Sequence, residues 1–167
     1  MKKTTSHTVL LPDALRAEIE QWAAKYPPER RQSAILPALT LAQNHNNGYL
    51  STELIDAVAD FLAMSRVTAY EVATFYSLYE LKPVGKQKIS VCTNVSCLLA
   101  GCDKIVSHLK ARLKINFGET TDDGRFTLKE VECLGACANA PVLQLGPDYY
   151  ENLTPESIDK LLDKLDG

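Results

Sequence analysis

From Pro12 to about Tyr79 the apolar positions recur every three or four residues, and from Gln87 onward stretches that alternate every second residue take turns with helical ones. The first rhythm is that of helices burying one stripe, the second that of strands burying one face. Leu15, Ile19 and Trp22 keep helical spacing behind Pro12 and Asp13, which suit a helix start, and Pro27-Pro28 stops that helix. Ala34, Ile35, Ala38, Leu39, Leu41 and Ala42 predict a second helix over 31–44, where Pro37 is tolerated only in the first turn or at a kink. Asn46-Asn47-Gly48 supplies residues for a left-handed end. Ser51 is placed to cap a third helix with the apolar face Leu54, Ile55, Val58, Phe61 and Leu62, ending near Met64. In VTAYEVATFYSLY, Thr68 and Glu71 stand at capping-box spacing and Val67 and Val72 at staple spacing, which predicts a fourth helix. Four short helices with tight loops read as a small bundle over residues 1–81, its ordered helices lying within 12–80.

Lys82-Pro83-Val84-Gly85-Lys86 is rich in breakers and marks a linker over 82–86, so a second domain is expected over 87–167. There, Gln87 to Val91 forms a strand that leads into Cys92, and Ile105, Leu109 and Leu113 mark a helix from Leu98 to Lys114 ended by Gly118. Arg125 to Glu132 alternates before Cys133, Val142 to Leu145 gives another short strand, and a last helix behind Pro155 faces the core with Ile158, Leu161, Leu162 and Leu165. The order β-α-β-β-α predicts a mixed sheet flanked by helices, similar to a thioredoxin-like layout. The whole reads as α+β: a helical bundle followed by a thioredoxin-like α/β domain.

Composition narrows the function. Apolar residues at 46% of the 167 are enough for a real core, and no apolar stretch approaches the roughly 20 residues of a membrane helix. A net charge of −3 gives no electrostatic footprint for nucleic acid. The run Val9-Leu10-Leu11 is too short for a signal-peptide core and Pro12 ends it, so a cytoplasmic chain without membrane insertion is expected. Five cysteines are an odd number and do not suit a disulfide framework in a reducing compartment, which turns attention to metal or redox chemistry.

Cys92 and Cys97 form C-x4-C in CTNVSC, and Cys133 and Cys137 form C-x3-C in CLGAC. Each pair begins where a strand ends, so if the two strands are neighbours in one sheet, four thiols can surround one site. Separate buried cysteines are the bland alternative. A four-cysteine zinc site stays open, although C-x-x-C is the commoner knuckle. A thiol-disulfide oxidoreductase would need the C-x-x-C that is missing here. The plant-type ferredoxin pattern shares only the first step, C-x4-C. A binuclear iron-sulfur cluster on four thiolates carries two negative charges, three once reduced, and so needs backbone N–H donors around it. Gly135, Ala136 and Gly101 leave room for backbone to approach sulfur, and the hydroxyls of Thr93 and Ser96 are further candidate donors.

These stretches carry a resemblance. VATFYSLY, KPVGK, CTNVSC, GETTDDGRFTL, VECLGACANAP and YYENLT resemble the family of small [2Fe-2S] subunits in the NADH-oxidising module of respiratory complex I, the bacterial NADH-quinone oxidoreductase. The similarity runs from about Tyr26 to Leu165, and related subunits occur in NAD-linked hydrogenases and formate dehydrogenases. The resemblance implies a thioredoxin-like domain in which Cys92, Cys97, Cys133 and Cys137 hold one [2Fe-2S] cluster. It implies a flavoprotein partner that binds NADH and FMN, other peripheral-arm subunits, and a place on the inner face of the cell membrane through the complex. It further implies that the cluster exchanges an electron with the partner's FMN. An absence in the chain agrees with this division of labour: no G-x-G-x-x-G follows a strand, and the lysine of Gly85-Lys86-Gln87 lacks the rest of a P-loop.

Other signals are read blandly. Leu99-Ala100-Gly101-Cys102 matches a lipoprotein box but lies mid-chain, and the sequons at Asn94 and Asn152 mean nothing in a cytoplasmic protein. His7, His45 and His108 share no motif with the cysteines and are expected at the surface or in caps. Phe75, Tyr76 and Tyr79 read as one packed face of the bundle, with a partner interface as the sharper alternative. Cys102, inside the expected helix, is read as a small buried thiol pointing along the helix wall.

Overall fold

A computed structural model describes residues 10–166, so His7 and Val9, the first residue of the Val9-Leu10-Leu11 run, lie outside the described residues. The chain divides into two compact units between Pro83 and Val84.

The first unit contains α1 (Asp13–Ala23), α2 (Ile35–His45), α3 (Thr52–Phe61) and α4 (Arg66–Phe75). Their apolar stripes meet in one core that includes Leu15, Ile19, Leu39, Ile55, Val58 and Leu62. Pro28–Ala34 is a 3-10 stretch bent at Arg30, so α2 begins at Ile35, later than the expected residue 31. Pro37 accounts for this: a proline deep inside an α-helix would clash with the carbonyl four residues back, and a start at Ile35 leaves it in the first turn. Asn47 (φ 54°) and Gly48 (φ 86°) form the expected left-handed end, and the Ser51 hydroxyl caps α3 by accepting from Leu54 N–H at 3.3 Å.

Two expectations in this unit need correction. Helix α4 starts at Arg66 behind Ser65, so Thr68 lies in its first turn and heads no capping box, and Val67, 68% exposed, is no staple. The cause lies upstream, where Ala63 (φ 54°) turns the chain and Met64 N–H closes on Ala59 O at 3.0 Å, which ends α3 at Phe61. The aromatic stripe also splits. Tyr79 is buried and its hydroxyl donates to Leu36 O at 2.8 Å, whereas Phe75 is 79% exposed. The buried Gln43 amide holds the segment after α4, donating to Leu78 O at 3.2 Å and accepting from Glu80 N–H at 2.7 Å.

The second unit is built on β1 (Gln87–Cys92), β2 (Phe126–Val131), β3 (Leu143–Leu145) and β4 (Asp148–Tyr150), in the order β2-β1-β3-β4. Strands β1 and β2 are parallel, and the other two pairings are antiparallel. Helices α6 (Cys102–Leu113) and α7 (Pro155–Asp166) lie against each other and share one core with the sheet through Ile105, Leu109, Ile158, Leu162, Ile89, Leu128 and Leu143. His108 Nε2 stands 2.8 Å from Asp159 and Arg112 donates to Asp163 at 2.7 Å, so His108 serves at the surface of this helix pair. Strand β4 had no signal in the sequence, being three residues long and mostly exposed. The expected helix over 98–114 is two helices, α5 (Val95–Leu99) and α6, because Gly101 at φ 90° breaks the helical path. It ends at Leu113, with Lys114 left-handed at φ 58°, before Gly118 is reached.

Gly85 and Lys86 are already tied to the second unit. Gly85 N–H donates to Thr127 Oγ1 at 2.6 Å, and Lys86 N–H donates to Gly124 O at 3.2 Å. A Cβ on Gly85 would stand 2.9 Å from the backbone of Arg125 and Phe126, so this glycine is required by close backbone approach. Gly85→Ala is expected to push the segment off β2 and cost about 1–3 kcal/mol, read as a lower urea midpoint of the purified chain.

Candidate metal centre

The register of the parallel pair decides where the cysteines go. Cys92, the last residue of β1, stands opposite Val131, the last residue of β2, so both strands deliver the chain to the same edge of the sheet. Cys133 follows two residues later, and the loop returns through a 3-10 turn at Cys137–Asn139 to Val142, whose carbonyl accepts from Cys92 N–H at 3.1 Å. All four expected cysteines therefore belong to segments gathered at one sheet edge.

Within that edge the thiols differ. Cys92, Cys97 and Cys102 are buried and pack together, with Leu134 and Ala140 against them, while Cys133 and Cys137 are exposed. Burial pushes the Cys92 thiol up, yet backbone N–H groups of Asn94 and Leu134 and the thiols of Cys97 and Cys133 outweigh it and hold it below its ordinary value. Cys97 is pushed up to about 11 by burial first and then by Cys92, against one opposing backbone contact from Val142. Burial, followed by the negative charge of Asp103, raises Cys102. Gly135 N–H donates to Cys133 Sγ at 3.3 Å, and Gly135 holds φ 73°, a conformation that favours glycine.

Cys92 thus touches the thiols of Cys97 in α5 and Cys133 in the loop after β2, and Cys137 sits at the head of its turn. Among the described residues no three His, Cys, Asp or Glu side chains converge as the ligands of one ion would. A binuclear cluster takes its thiolates in pairs on separate irons, and the donor set here, four thiols with backbone N–H groups at the sulfurs, fits that chemistry.

Three details depart from expectation. Cys97 lies in α5, not in a loop. The Thr93 hydroxyl donates to Glu130 Oε1 at 2.8 Å and is engaged away from sulfur. Cys102 heads α6 on the same stripe as Ile105 and Leu109, which turns it inward against Cys92 and Cys97 instead of along the helix wall. The N–H groups of Asn94, Leu134 and Val142 had no signal in composition, because every residue type except proline carries one; only Asn94, a good cap residue, marks its helix start.

Comparison with known proteins matches residues 19–166 to the model of the thioredoxin-like [2Fe-2S] ferredoxins. The chain belongs to that family. It is 54% identical over 141 residues to the E subunit of the NADH-quinone oxidoreductase of Rickettsia bellii, covering 84% of each chain. The E 2 subunit of the Rhizobium meliloti enzyme is 48% identical over 149 residues, covering 89% of this chain and 87% of that one. The mitochondrial NADH dehydrogenase [ubiquinone] flavoprotein 2 of Dictyostelium discoideum is 45% identical over 148 residues, which is 89% of this chain and 60% of that one. Among solved structures, the NAD+-reducing [NiFe]-hydrogenase in its air-oxidized state aligns with 79% of this chain and 22% of its own at a TM-score of 0.67, with 22% identity, a likeness of fold.

Proposed function

We propose that this ferredoxin-family chain is the electron-transfer E subunit of an NADH-quinone oxidoreductase and holds one [2Fe-2S] cluster on Cys92, Cys97, Cys133 and Cys137. The observation that carries the reading is the parallel register of β1 and β2, which brings both cysteine pairs to one edge with N–H groups directed at sulfur. When bound, the cluster supplies a one-electron couple. The chain's own part is to hold thiolates, to spread their negative charge onto the N–H groups of Asn94, Leu134 and Gly135, and to keep Cys92 and Cys97 out of water. Identities of 45–54% to complex I subunits support that parent over a hydrogenase, whose likeness is one of fold.

NADH and FMN belong, on this reading, to a partner flavoprotein, with which the cluster exchanges one electron. Other peripheral-arm subunits complete the assembly on the inner face of the cell membrane. No helix among the described residues is long and apolar enough to cross a membrane.

The test is purification under argon. A brown chain with iron and acid-labile sulfide in equal amounts, reduced by dithionite, unaffected by NADH alone and reduced by NADH once the flavoprotein is added, is the expected result. A colourless chain with bound zinc, or robust NADH oxidation by the flavin-free chain, overturns the reading.

A further inference from the structure

Glu130 stands where the alternation of β2 asks for an apolar residue. Phe126, Leu128 and Glu130 share one face of the strand, and the first two are buried there in the core with Ile105 and Leu109 of α6. Glu130 carries that row to the sheet edge where the cysteines gather, stands opposite Val91, and is exposed. The row therefore closes on a carboxylate.

The carboxylate is held in place. Thr93, the residue after Cys92, donates its hydroxyl to Glu130 Oε1 at 2.8 Å, and Thr93 N–H donates to Val131 O at 3.2 Å. Two residues beyond Glu130, the carbonyl of Glu132 accepts from the Cys92 thiol at 3.8 Å. Glu130 is thus tied to the neighbour of one expected ligand and lies three residues before another, Cys133. The Cys102 thiol, packed with Cys92 and Cys97, is raised by burial first and then by the charges of Asp103, Cys92 and Glu130, so the field of this carboxylate reaches the buried sulfurs. Asp103 lies in the first turn of α6, where the helix N-terminus offsets its charge, whereas Glu130 stands near a strand end, where the backbone carries little net dipole.

We propose that Thr93 and Glu130 set the reduction potential of the cluster: the Thr93 hydroxyl fixes the Glu130 carboxylate beside the Cys92 and Cys133 segments, and its negative charge disfavours the reduced form. This rests on the cluster reading above. One electron from an external reductant such as dithionite raises the negative charge of a binuclear cluster on four thiolates by one and breaks no bond, and net charge nearby is one of the terms that set such a potential. A fixed carboxylate opposes the added charge. Thr93 is a positioning residue that acts through Glu130.

Variants loaded anaerobically with iron and sulfide test this: Glu130→Gln, Glu130→Lys, Thr93→Val, the double Thr93→Val/Glu130→Gln, and Asp122→Asn, which removes an exposed carboxylate from the turn before β2. The readouts are iron content and the midpoint potential, titrated with dithionite and mediators and followed by electron paramagnetic resonance. Glu130→Gln is expected to keep its iron and to favour the reduced form about threefold, a rise of ~28 mV at about 59 mV per tenfold for one electron. Glu130→Lys doubles the change in charge and is expected to give about ninefold, or ~56 mV. Thr93→Val frees the carboxylate and is expected to give a smaller rise than Glu130→Gln, and the double variant to match Glu130→Gln. Asp122→Asn is expected to leave the potential where it was.

An unshifted Glu130→Gln, equal shifts in Glu130→Gln and Glu130→Lys, or a shift as large in Asp122→Asn overturns the proposal. So does a Glu130→Gln chain that loses its iron, which would make the Thr93–Glu130 bond a structural clasp, and so does a double variant shifted by the sum of its two parts, which would take Thr93 out of the pair. An unaltered chain that takes up no cluster refutes the reading beneath, whereas a loaded chain whose potential is indifferent to the charge at position 130 refutes only the role of Thr93 and Glu130.

Discussion

Cys92→Ser is expected to strip the cluster from a chain that still folds, lowering its retention of iron about 100-fold or more. The magnitude follows from what changes one layer further out do: removing a group that merely orients a ligand already costs about 10–100-fold in metal affinity, and here the thiolate itself goes. Position makes Cys92 the most sensitive of the four expected ligands. Its sulfur contacts the thiols of Cys97 and Cys133 and faces the N–H groups of Asn94 and Leu134, so serine would place a shorter, harder oxygen where the donors are arranged for sulfur. The fold should survive, because the backbone of Cys92 keeps its bond to Val142 O and its register with Val131, and serine nearly preserves the volume. Iron and sulfide assays beside circular dichroism check it. A Cys92→Ser chain with a full, spectroscopically unchanged cluster would sink the ligand assignment.

Much of this site was legible because strands and cysteines are linked in the sequence itself. Alternation through Lys88, Ile89, Ser90 and Val91 ends at Cys92, and a strand pattern that alternates at Phe126 and Leu128 and closes on Val131 ends just before Cys133. What alternation cannot supply is which strands are neighbours and in which direction, since pairing is a long-range property; that β1 and β2 run parallel and adjacent is known only from the folded chain. The same holds for Cys102. Helical spacing read continuously from Leu98 carries it past the site, whereas the break at Gly101 restarts the helix and points it inward. Gly101 carried a signal, a glycine inside a helical pattern, but a single glycine is tolerated there often enough that it does not dictate a break.

In the bundle the errors have a common cause. Capping residues are abundant in this stretch, and Ser65 and Thr68 compete for the start of α4; the turn at Ala63, a residue with no preference for positive φ, decides between them. Local preference loses there to the packing of α3 on α4, in which Ala69 and Ala73 are buried while Val67 points outward. The segment after α4 shows the reverse. Phe75, Tyr76 and Tyr79 have similar composition and spacing, yet only Tyr79 reaches a backbone acceptor on α2, which no periodic pattern encodes.

Leu128→Ala should destabilise the second unit by about 2–5 kcal/mol, the range for truncating a fully buried leucine. Leu128 is 0% exposed, stands opposite Ile89 in the parallel pair, and belongs to the core that Ile105, Leu109 and Ile158 close from the helix side. Its neighbours are held by backbone pairing on the strand side, so they cannot collapse into the void, and the upper half of the range is the better expectation. The two large cores share no buried residue, so the loss of amide protection should concentrate in β1 and β2 of the cluster-free chain and spare α2 and α3. Hydrogen exchange read residue by residue checks this directly. The effect on the site follows from the register: β1 and β2 hold Cys92 and the start of the Cys133 loop at one edge, and any opening of that pair separates them. Leu128→Ala, which touches no cysteine, should therefore lose iron faster than the unaltered chain under the same chelator, and restored iron retention at lower temperature would show that the loss runs through opening of the sheet. Unchanged exchange in β1 and β2 would mean that the core around Leu128 does not hold these strands together.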